Sequence, residues 1–336
     1  MRIGLIARPD SRGLGIQTKG FHDNMAPDKT LVIDPPSQQP LPIRTDWYPG
    51  AQWIHGLPGA PDLDSFLDGL DVVYTAETGY GTLLWEMARR RGVKTVLHAN
   101  WEFLNRKDTP TLWAAPSLWH IDQWPAGTIH LPVPCNIDDQ PMPDRATRFV
   151  VVVGRPTFDN RTDLHRNGAA DVIAALAHVS ESVELTFHCQ KRGYIEKLLT
   201  NAVLPGNVKT IVRSGDIRDS QDLYRGQHCL LMPRRFGGLC LPAQEAIAAG
   251  LPVVMTDISP NNLWLPQEWL VSTHHAGEFT AKQRITCHRA DPHHLAAVID
   301  SMTNPKFYQH AVGKAQRLRA INTWQELKPR YLKALS

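Results

Sequence analysis

One segment in the C-terminal half of the chain constrains the fold more than any other part. His228–Met232 is an apolar run of the length expected for a strand that is covered on both faces of a parallel sheet. Gly237–Gly238 permit a sharp turn because glycine has no Cβ, and Pro242 suits the start of a helix. Gly250–Pro252 then ends that helix before a second apolar run, Val253–Met255. The segment therefore predicts a strand, a helix and a second strand of a parallel sheet.

Short apolar strands alternate with helical segments along the rest of the chain. The nine predicted strands are Arg2–Ala7, Thr30–Asp34, Val72–Thr75, Thr95–His98, Phe149–Gly154, Val183–Cys189, Val208–Val212, Cys229–Met232 and Val253–Thr256. Such alternation is typical of parallel sheets that are covered by helices. We therefore predict an α/β protein.

A proline-rich and otherwise polar stretch predicts a boundary between two domains. It runs from Leu131–Pro134 to Pro141–Pro143. A chain of 336 residues is long enough for two domains with a core each. We place the first domain at residues 1–140, the second at 141–315, and a helical tail at 316–336.

Composition indicates a globular protein without a strong preference for a charged partner. Hydrophobic residues make up 42% of the chain and charged residues 21%, which excludes a largely disordered chain. The formal net charge of +3 permits nucleic-acid binding without requiring it. No apolar run approaches the length of a membrane span, and Met1–Ala7 reads as a strand and not as a signal sequence. These features predict a cytoplasmic protein without a transmembrane segment.

Cysteine, histidine and aspartate patterns predict no metal site. The five cysteines are scattered and odd in number, so reduced thiols are expected. The pairs His274–His275 and His293–His294 read as surface residues. Asp62–Asp64 lies at a predicted helix start, where a capping role is expected.

The turn and helix start after Met232 bring together groups that suit a phosphorylated ligand. Amide groups at a helix start attract phosphates, and Glu245 can accept hydrogen bonds from sugar hydroxyls. Arg234 and Arg235 come just before the turn and could each bind a phosphate through two hydrogen bonds. The alternatives are that Gly237–Gly238 serve only the turn and that both arginines lie on a solvated surface.

The same segment resembles the donor-binding motif of family 4 glycosyltransferases. This family has the GT-B fold, in which two Rossmann-like domains face a central cleft. The matching positions are Leu241, Pro242, Glu245, Ala246, Ala248, Gly250, Pro252, Val253 and Val254. The family motif has a first glutamate eight positions before Glu245, where this chain has Gly237. The resemblance implies that Glu245 contacts the donor ribose, while the sugar contact passes to another residue or to backbone amides such as those of Gly237, Gly238 and Leu239. It also implies that the helical tail at 316–336 crosses back to the first domain.

Two further cations correspond to positions at which the family binds the donor diphosphate. The family has Gly-Arg after the first strand of its second domain and a Lys-Gly pair at the next helix start. This chain has Gly154–Arg155 and, after a longer loop, Arg166–Gly168. The resemblance implies that Arg155 binds the diphosphate and that Arg166 substitutes for the lysine. The loop from Pro156 to His165 either covers the site or is an idle surface loop.

A glycine loop follows the first strand. Gly13 and Gly15 precede a helix that we predict to begin near Gln17, and their amides would lie where ligands bind in open α/β sheets. Alone, a G-x-G sequence is weak support for a site. The resemblance implies that this loop faces the donor diphosphate and the acceptor.

Polar side chains follow two neighbouring strands of the first domain. Glu77 lies within Thr75–Tyr80, and Glu102 lies within His98–Phe103. One acid at a helix start is more often a cap than a catalyst, whereas two acids at neighbouring strand ends suggest a shared site. We therefore predict that Glu77 or Glu102 orients or deprotonates an acceptor hydroxyl.

His98 and the elements around the two acids also resemble parts of the family. His98 lies near the position of a histidine that touches the transferred sugar in many members; the alternative is a core histidine at a strand end. Similar E-T-x-Y and N-aromatic-E-F elements are expected in members encoded by bacteriophages. This subgroup suggests a hydroxylated base in DNA as the acceptor.

Together these features predict a glycosyltransferase, a monomer or a homodimer, that uses a nucleotide-diphosphate sugar. The resemblance implies retention of anomeric configuration, no essential metal or other cofactor, and a UDP-sugar as the expected donor. Because the first motif glutamate is missing, two alternatives stay open: a nucleotide-sugar binding protein without turnover and a GT-B epimerase that acts on a sugar nucleotide. A dehydrogenase is disfavoured, since Thr18 stands where a dinucleotide motif needs its third glycine.

Overall fold

The chain divides into two units, each with its own parallel sheet. The computed structural model describes residues 1–34, 43–156 and 166–336. Unit 1 comprises Met1–Pro134, Ala281–Gln283 and Trp324–Ser336, and unit 2 comprises Cys135–Thr280 and Arg284–Thr323. The sequence analysis left open whether the loop from Pro156 to His165 covers the ligand site or is an idle surface loop. Residues 157–165 of this loop lie outside the described residues.

Strands and helices alternate along most of the described chain. The strands are β1 (Ile3–Ala7), β2 (Lys29–Asp34), β3 (Gln52–His55), β4 (Val72–Ala76), β5 (Lys94–His98), β6 (Leu112–Ala115), β7 (Ile129–His130), β8 (Arg148–Gly154), β9 (Val183–Cys189), β10 (Val208–Ser214), β11 (Cys229–Met232), β12 (Val253–Thr256), β13 (Leu270–Val271), β14 (Thr273–Thr280) and β15 (Arg284–Ala290). The helices are α1 (Gly13–Met25), α2 (Ala60–Leu67), α3 (Leu83–Arg90), α4 (Ala169–Leu176), α5 (Tyr194–Thr200), α6 (Leu241–Ala248), α7 (Pro292–Thr303), α8 (Pro305–Ala320) and α9 (Trp324–Leu335). Every predicted strand is present.

Unit 1 contains a parallel sheet in the order β3-β2-β1-β4-β5-β6-β7. The central strands β1 and β4 are buried along their whole length, as expected for a sheet that is covered on both faces. The strand order reverses between β1 and β4. In such sheets, ligands bind outside the carboxyl ends of the strands at this switch point.

The C-terminal helix α9 belongs to the core of unit 1. The Tyr331 ring lies 6.1 Å from the ring of Phe21 and 6.2 Å from that of Tyr74. Its hydroxyl donates a hydrogen bond to the Pro132 carbonyl at 3.0 Å. The Trp324 ring packs against Tyr331 at a tilt of 48°, with 5.0 Å between the ring centroids, and is also buried. Helix α9 therefore supplies aromatic side chains to the core around α1 and β4.

Unit 2 repeats the same topology and adds a hairpin. Its parallel sheet has the order β10-β9-β8-β11-β12-β13, so the strand order reverses between β8 and β11. β14 and β15 pair antiparallel with each other in a separate two-stranded sheet. The predicted fold class, an α/β protein with two Rossmann-like parallel sheets, is confirmed.

Helix α1 begins at Gly13, so the prediction of a start near Gln17 was wrong. The Ile16 amide already donates to the Arg12 carbonyl at 2.9 Å, which closes the first turn. Gly15 lies inside this turn, and a Cβ there would be 1.7 Å from the Asp10 carbonyl oxygen. The glycine thus lets the helix pack directly on the preceding loop, a tertiary contact that the sequence pattern does not reveal.

Candidate active site

The switch point of unit 2 brings together the loops that follow β8 and β11. Arg155 directly follows β8 and is exposed. The segment Pro233–Cys240 connects β11 to helix α6. Because ligands of open α/β sheets bind at this edge, these two loops form the candidate ligand site of unit 2.

The loop Pro233–Cys240 adopts a conformation that depends on glycine. Gly238 has a φ of 114°, and Cys240, the residue before α6, has a φ of 50°. Gly168, the residue before α4, lies so close to Pro233 that a Cβ would be 2.0 Å from the Pro233 carbonyl oxygen. The start of α4 and the loop after β11 are therefore in direct contact. Gly237 is also buried in this loop.

Arg234 lies buried in this loop with part of its guanidinium group unsatisfied. Its residue exposure is 3%. Among the described residues, Nε and Nη1 have no hydrogen-bond partner. The backbone on either side is fixed, because the Arg234 amide donates to Met232 at 2.7 Å and its carbonyl accepts from the Thr256 hydroxyl. A surface position for Arg234 was the alternative from the sequence, and it is wrong.

Arg235 is also buried, but its guanidinium group binds a carboxylate of the protein. Nε and Nη2 donate to the two carboxylate oxygens of Asp171 at 3.2 and 2.7 Å. The Asp171 Oδ2 also accepts from the Ala290 amide at 3.4 Å, and the Arg235 carbonyl accepts from His288 at 2.7 Å. The edge of Arg235 that would bind a phosphate through two hydrogen bonds is therefore occupied by Asp171. The surface position that the sequence left as the alternative for Arg235 is wrong as well, since its exposure is 1%.

The two other predicted cations lie on the same edge of the sheet. Arg166 packs its guanidinium group over the Phe236 ring, 4.6 Å from the centroid. Its carbonyl accepts a hydrogen bond from the Arg235 amide at 2.9 Å, which places it beside the loop after β11. Arg155 is exposed after β8, and Asn167 binds the carbonyls of Val152 and Val153 at 3.3 and 2.7 Å. Both cations thus border the loop that contains Arg234.

Glu245 is buried in the second turn of α6. The Tyr224 hydroxyl donates to its Oε2 at 2.7 Å. Burial raises the pKa of Glu245 to about 7, while hydrogen bonds from Tyr224 and Ser220 lower it and the charge of Asp219 raises it. The carboxylate is therefore held in a fixed direction and titrates near neutral pH.

In unit 1, Glu77 and Asn100 meet at the ends of β4 and β5. The Asn100 Nδ2 donates to the Glu77 Oε1 at 2.9 Å, and the Glu77 amide donates to the His98 carbonyl at 2.8 Å. Glu77 and Tyr80 both have positive φ values, 58° and 53°. These are unusual for residues other than glycine and recur at functional sites. Glu77 is half-buried.

Glu102 is much less accessible than Glu77. It lies in a short 3-10 helix, Trp101–Phe103, and its exposure is 2%. Its carbonyl accepts from the Lys282 amide at 3.2 Å, and Gln283 donates to the Leu104 carbonyl at 2.9 Å. Both contacts lie within unit 1.

His98 lies in the core of unit 1. Its exposure is 1%, and its Nδ1 lies 2.7 Å from the Tyr74 hydroxyl and 3.0 Å from Gln17 Nε2. Burial lowers the pKa of His98 to about 3, so the ring is neutral. The geometry favours the core histidine that the sequence left as the alternative to a sugar contact.

Four residues of these surroundings were missed by the sequence reasoning: Arg8, Asp10, Asp171 and Tyr224. Arg8 and Asp10 follow β1 and form an ion pair at 3.1 Å; their place after a strand was an available signal. Asp171 lies in the first turn of α4, where an acid reads as a helix cap. For Tyr224 no local signal exists, since its contact with Glu245 spans 21 positions of the sequence.

The described part of the chain contains neither a cluster of metal-ligating side chains nor a helix that could span a membrane. Over residues 1–34, 43–156 and 166–336, no three His, Cys, Asp or Glu side chains group as a metal ion would require. Asp62 caps helix α2, because its carboxylate accepts from the Gly59 amide at 2.9 Å. No helix in the described part of the chain has the length and apolar character to cross a bilayer.

Comparison with solved structures finds similar folds at low sequence identity. Sucrose-phosphate synthase (tll1590) from Thermosynechococcus elongatus has 16% identity and a TM-score of 0.66, with 100% of both chains covered. A structure described as trehalose-6-phosphate from E. coli bound with UDP-2-fluoro glucose has 12% identity and a TM-score of 0.59, with 100% of this chain and 99% of that chain covered. MurG of Acinetobacter baumannii has 11% identity and a TM-score of 0.55, also with 100% and 99% covered. At these identities the likeness shows the fold, which is GT-B.

Comparison with protein-family profiles finds a match that covers most of unit 2. Residues 149–299 match the profile of the family described as Glycosyl transferases group 1. The match includes Arg155, Arg234 and Glu245. A search of curated protein sequences found no match. Residues 149–299 therefore form a domain of the Glycosyl transferases group 1 type.

Proposed function

We propose that this chain is a retaining glycosyltransferase that transfers a sugar from a nucleotide-sugar donor to an acceptor hydroxyl group. Unit 2 binds the donor and unit 1 the acceptor. The Glycosyl transferases group 1 match of residues 149–299 supports the reaction class. The similar E. coli structure that is bound with UDP-2-fluoro glucose supports a UDP-sugar as the donor to test first.

The observation that carries the proposal is the buried guanidinium group of Arg234. Its exposure is 3%, and Nε and Nη1 have no partner among the described residues. A buried cation without a counter-charge is unfavourable, because burial removes its hydration. A diphosphate supplies negative charge and the hydrogen-bond acceptors that Nε and Nη1 do not find among the described residues. Arg155 and Arg166 on the neighbouring segments favour the same ligand.

Glu245 and Tyr224 favour a nucleoside diphosphate over an inorganic diphosphate. Both side chains are buried, and Tyr224 fixes one carboxylate oxygen of Glu245 at 2.7 Å. A carboxylate in this position can accept hydrogen bonds from the vicinal hydroxyls of a ribose. The resemblance of the α6 segment to family 4 glycosyltransferases supports the same role.

The chemistry follows from this charge distribution. The bond between the anomeric carbon and the phosphate oxygen breaks, and the nucleoside diphosphate leaves with the bonding electrons. Arg234, Arg155 and the amides of Gly237, Gly238 and Leu239 stabilise the developing charge, which makes a metal ion unnecessary. The acceptor oxygen forms the new bond to the anomeric carbon and loses its proton. Retention of configuration is the outcome that the resemblance implies.

Glu77 is the residue that we assign to the acceptor proton. It is half-buried, and Asn100 orients its carboxylate at 2.9 Å. Glu102, the other acid of the prediction, is 2% exposed and is thus less accessible to a substrate. A hydroxylated base in DNA is the acceptor that the elements around Glu77 and Glu102 suggest by resemblance, whereas the acids at these strand ends favour a neutral acceptor over a polyanion.

Donor binding tests the proposal most directly. Titration calorimetry with UDP, GDP, ADP and CMP should show binding of one nucleotide series. Arg234→Ala should weaken that binding roughly 10- to 100-fold, because hydrogen bonds to charged groups contribute about 1.5–3 kcal/mol. Arg145→Ala is the matched control, since Arg145 is exposed three positions before β8, at the opposite edge of the sheet. Equal losses in both variants, or binding of no nucleotide, would refute the donor site.

Turnover distinguishes a transferase from the two alternatives. The bound nucleotide series is offered as its sugar conjugate, and the release of nucleoside diphosphate is followed with and without acceptors. Binding without release would indicate a nucleotide-sugar binding protein, and an isomerised donor would indicate an epimerase. For a transferase, proton NMR of the product should show the anomeric configuration of the donor.

A further inference from the structure

Three buried or half-buried polar side chains at the carboxyl edge of unit 1 have atoms without partners. They are the Arg8 Nε, the Tyr80 hydroxyl and the Asn100 Oδ1, none of which has a hydrogen-bond partner among the described residues. Tyr80 and Asn100 are 7% and 8% exposed. They follow β1, β4 and β5, which are neighbours in the sheet. Unsatisfied buried polar groups are rare in native proteins and indicate a missing ligand or solvent partner.

The backbone holds these side chains in a rigid loop. The Thr75 hydroxyl donates to the Thr78 carbonyl at 2.7 Å, and the Tyr80 amide donates to the Thr78 hydroxyl at 3.1 Å. The positive φ values of Glu77 and Tyr80 are unfavourable for residues other than glycine and persist only where the surroundings enforce them. The Tyr80 ring is thus fixed in place, with its hydroxyl left for a ligand.

The hydrogen-bonding character of these atoms is mixed. The Arg8 Nε can only donate, the Asn100 Oδ1 can only accept, and the Tyr80 hydroxyl can do both. Burial raises the pKa of Tyr80 above its ordinary value, so its hydroxyl keeps its proton. A phosphate group would find few donors here, whereas sugar hydroxyls both donate and accept.

The charge of this edge is negative. Residues 8–12, 77–80 and 98–103 carry the three acids Asp10, Glu77 and Glu102 against the two arginines Arg8 and Arg12, a formal charge of −1 with the buried His98 neutral. Asp10 already pairs with Arg8 at 3.1 Å. A polyanion such as DNA would bring its phosphates towards these carboxylates and be repelled.

We propose that Arg8, Glu77, Tyr80 and Asn100 form an acceptor surface for a neutral, hydroxyl-rich molecule, a sugar or a glycoside. This inference rests on the proposed transferase function and names its acceptor class. Arg8 and Asn100 bind hydroxyls that do not react. Tyr80 bonds a further hydroxyl, and Glu77 accepts the proton of the reacting one.

An acceptor panel tests this assignment. With the donor that binds unit 2, transfer is measured to neutral mono- and disaccharides and their glycosides, to hexose phosphates, and to duplex DNA that contains 5-hydroxymethylcytosine. Transfer to a neutral sugar, with a lower KM than for its phosphate, is expected. Transfer to DNA or to hexose phosphates in preference to neutral sugars would overturn the acceptor class.

Two tyrosine-to-phenylalanine variants test whether the Tyr80 hydroxyl binds the acceptor. Tyr80→Phe removes a hydroxyl that makes no hydrogen bond of good geometry with the described residues, although the Arg8 guanidinium group lies close enough to lower its pKa. We therefore expect an acceptor KM that is raised about 5- to 30-fold and little change in melting temperature. Tyr331→Phe is the matched control in unit 1, because the Tyr331 hydroxyl donates to Pro132 at 3.0 Å. It should lower the melting temperature and leave the acceptor KM unchanged. An unchanged acceptor KM in Tyr80→Phe would overturn the assignment.

Measuring donor binding distinguishes a failure of the proposed acceptor class from a failure of the proposed transferase function. If the chain binds and hydrolyses a nucleotide sugar but glycosylates only DNA or phosphorylated sugars, the acceptor class fails while the proposed function stands. If it neither binds nor cleaves any nucleotide sugar, the proposed function itself fails. Calorimetry with the nucleoside diphosphate should give the same Kd for Tyr80→Phe and wild type, because the proposed phosphate and ribose ligands Arg234 and Glu245 lie in unit 2.

Discussion

The Asp171 carboxylate and the Arg235 guanidinium group form an ion pair with two hydrogen bonds, at 3.2 and 2.7 Å, and both side chains are almost completely buried. Asp171 comes from the first turn of α4, and Arg235 comes from the loop after β11. The pair therefore ties the helix to the loop that contains Arg234. The neighbouring Arg234 differs, since its Nε and Nη1 have no partner among the described residues.

Removing the charge of Asp171 should destabilise unit 2. Asp171→Asn leaves Arg235 buried without its counter-charge, which typically costs about 3–5 kcal/mol. Asp222→Asn is the control, since Asp222 pairs with Arg225 at 2.9 Å while both side chains are about half exposed or more. That change should cost at most about 1 kcal/mol. Urea denaturation of both variants measures the difference, and equal losses would contradict the role of the buried pair.

The stability contribution of Glu245 should depend on pH. Its pKa rises from 4.5 to about 7 in the folded chain because of burial. Below the lower value Glu245 is protonated in both the folded and the unfolded state, and above the higher value it is ionised in both. Wild type should therefore lose stability relative to Glu245→Gln as the pH rises through this window, by on the order of 3 kcal/mol in total. Denaturation between about pH 4.5 and 8 checks this; a difference that is constant with pH would contradict it.

Tyr224 should contribute to nucleotide selectivity through Glu245. Tyr224→Phe removes the hydrogen bond of 2.7 Å that orients the carboxylate. Binding of a ribonucleoside diphosphate should weaken about 10-fold, and binding of its 2′-deoxy counterpart should weaken less. Tyr308→Phe, whose hydroxyl donates to the His228 carbonyl at 2.9 Å in the same unit, is the control. Parallel losses for both nucleotides would show that Tyr224 has no role in recognising the ribose.

Glu77 and Glu102 should differ in their effect on turnover. Glu77→Gln keeps the shape of the side chain but removes the base, so kcat for transfer should fall roughly 10²- to 10⁴-fold. Glu102→Gln should lower kcat less than about 10-fold, because Glu102 is only 2% exposed and thus less accessible to a substrate than Glu77. The nucleotide Kd should stay unchanged in both variants. Loss of turnover in Glu102→Gln with activity retained in Glu77→Gln would reverse the assignment.

Replacing Gly15 should lower the stability of the fold and should not act mainly through a lost contact with the donor. In Gly15→Ala the new Cβ would meet the Asp10 carbonyl oxygen at 1.7 Å, and this backbone atom cannot move away cheaply. We expect a loss of about 3 kcal/mol in the free energy of unfolding. Gly206→Ala is the control, since a Cβ there meets nothing within 4 Å. A Gly15→Ala variant of normal stability with weakened donor binding would instead support a direct contact with the ligand.

The strands were predictable because each central strand is a short run of apolar residues, a property that local sequence records. The hairpin Thr273–Ala290 was missed because its strands are rich in polar residues and are only partly buried. Contacts between segments that are distant in the sequence were also not predicted. Nothing near Arg235 in the sequence indicates that Asp171, 64 positions away, occupies its guanidinium group. Local sequence likewise does not indicate that Tyr224 contacts Glu245 or that His98 is buried.

Helix α9 has a consequence for how the protein is made. Its aromatic side chains complete the core around Phe21 and Tyr74, which precede unit 2 in the sequence, whereas α9 follows it. The core of unit 1 can therefore be completed only after all of unit 2 has been synthesised. The apolar surface that Trp324 and Tyr331 cover in the folded chain stays exposed until then, which makes aggregation of this intermediate a hazard.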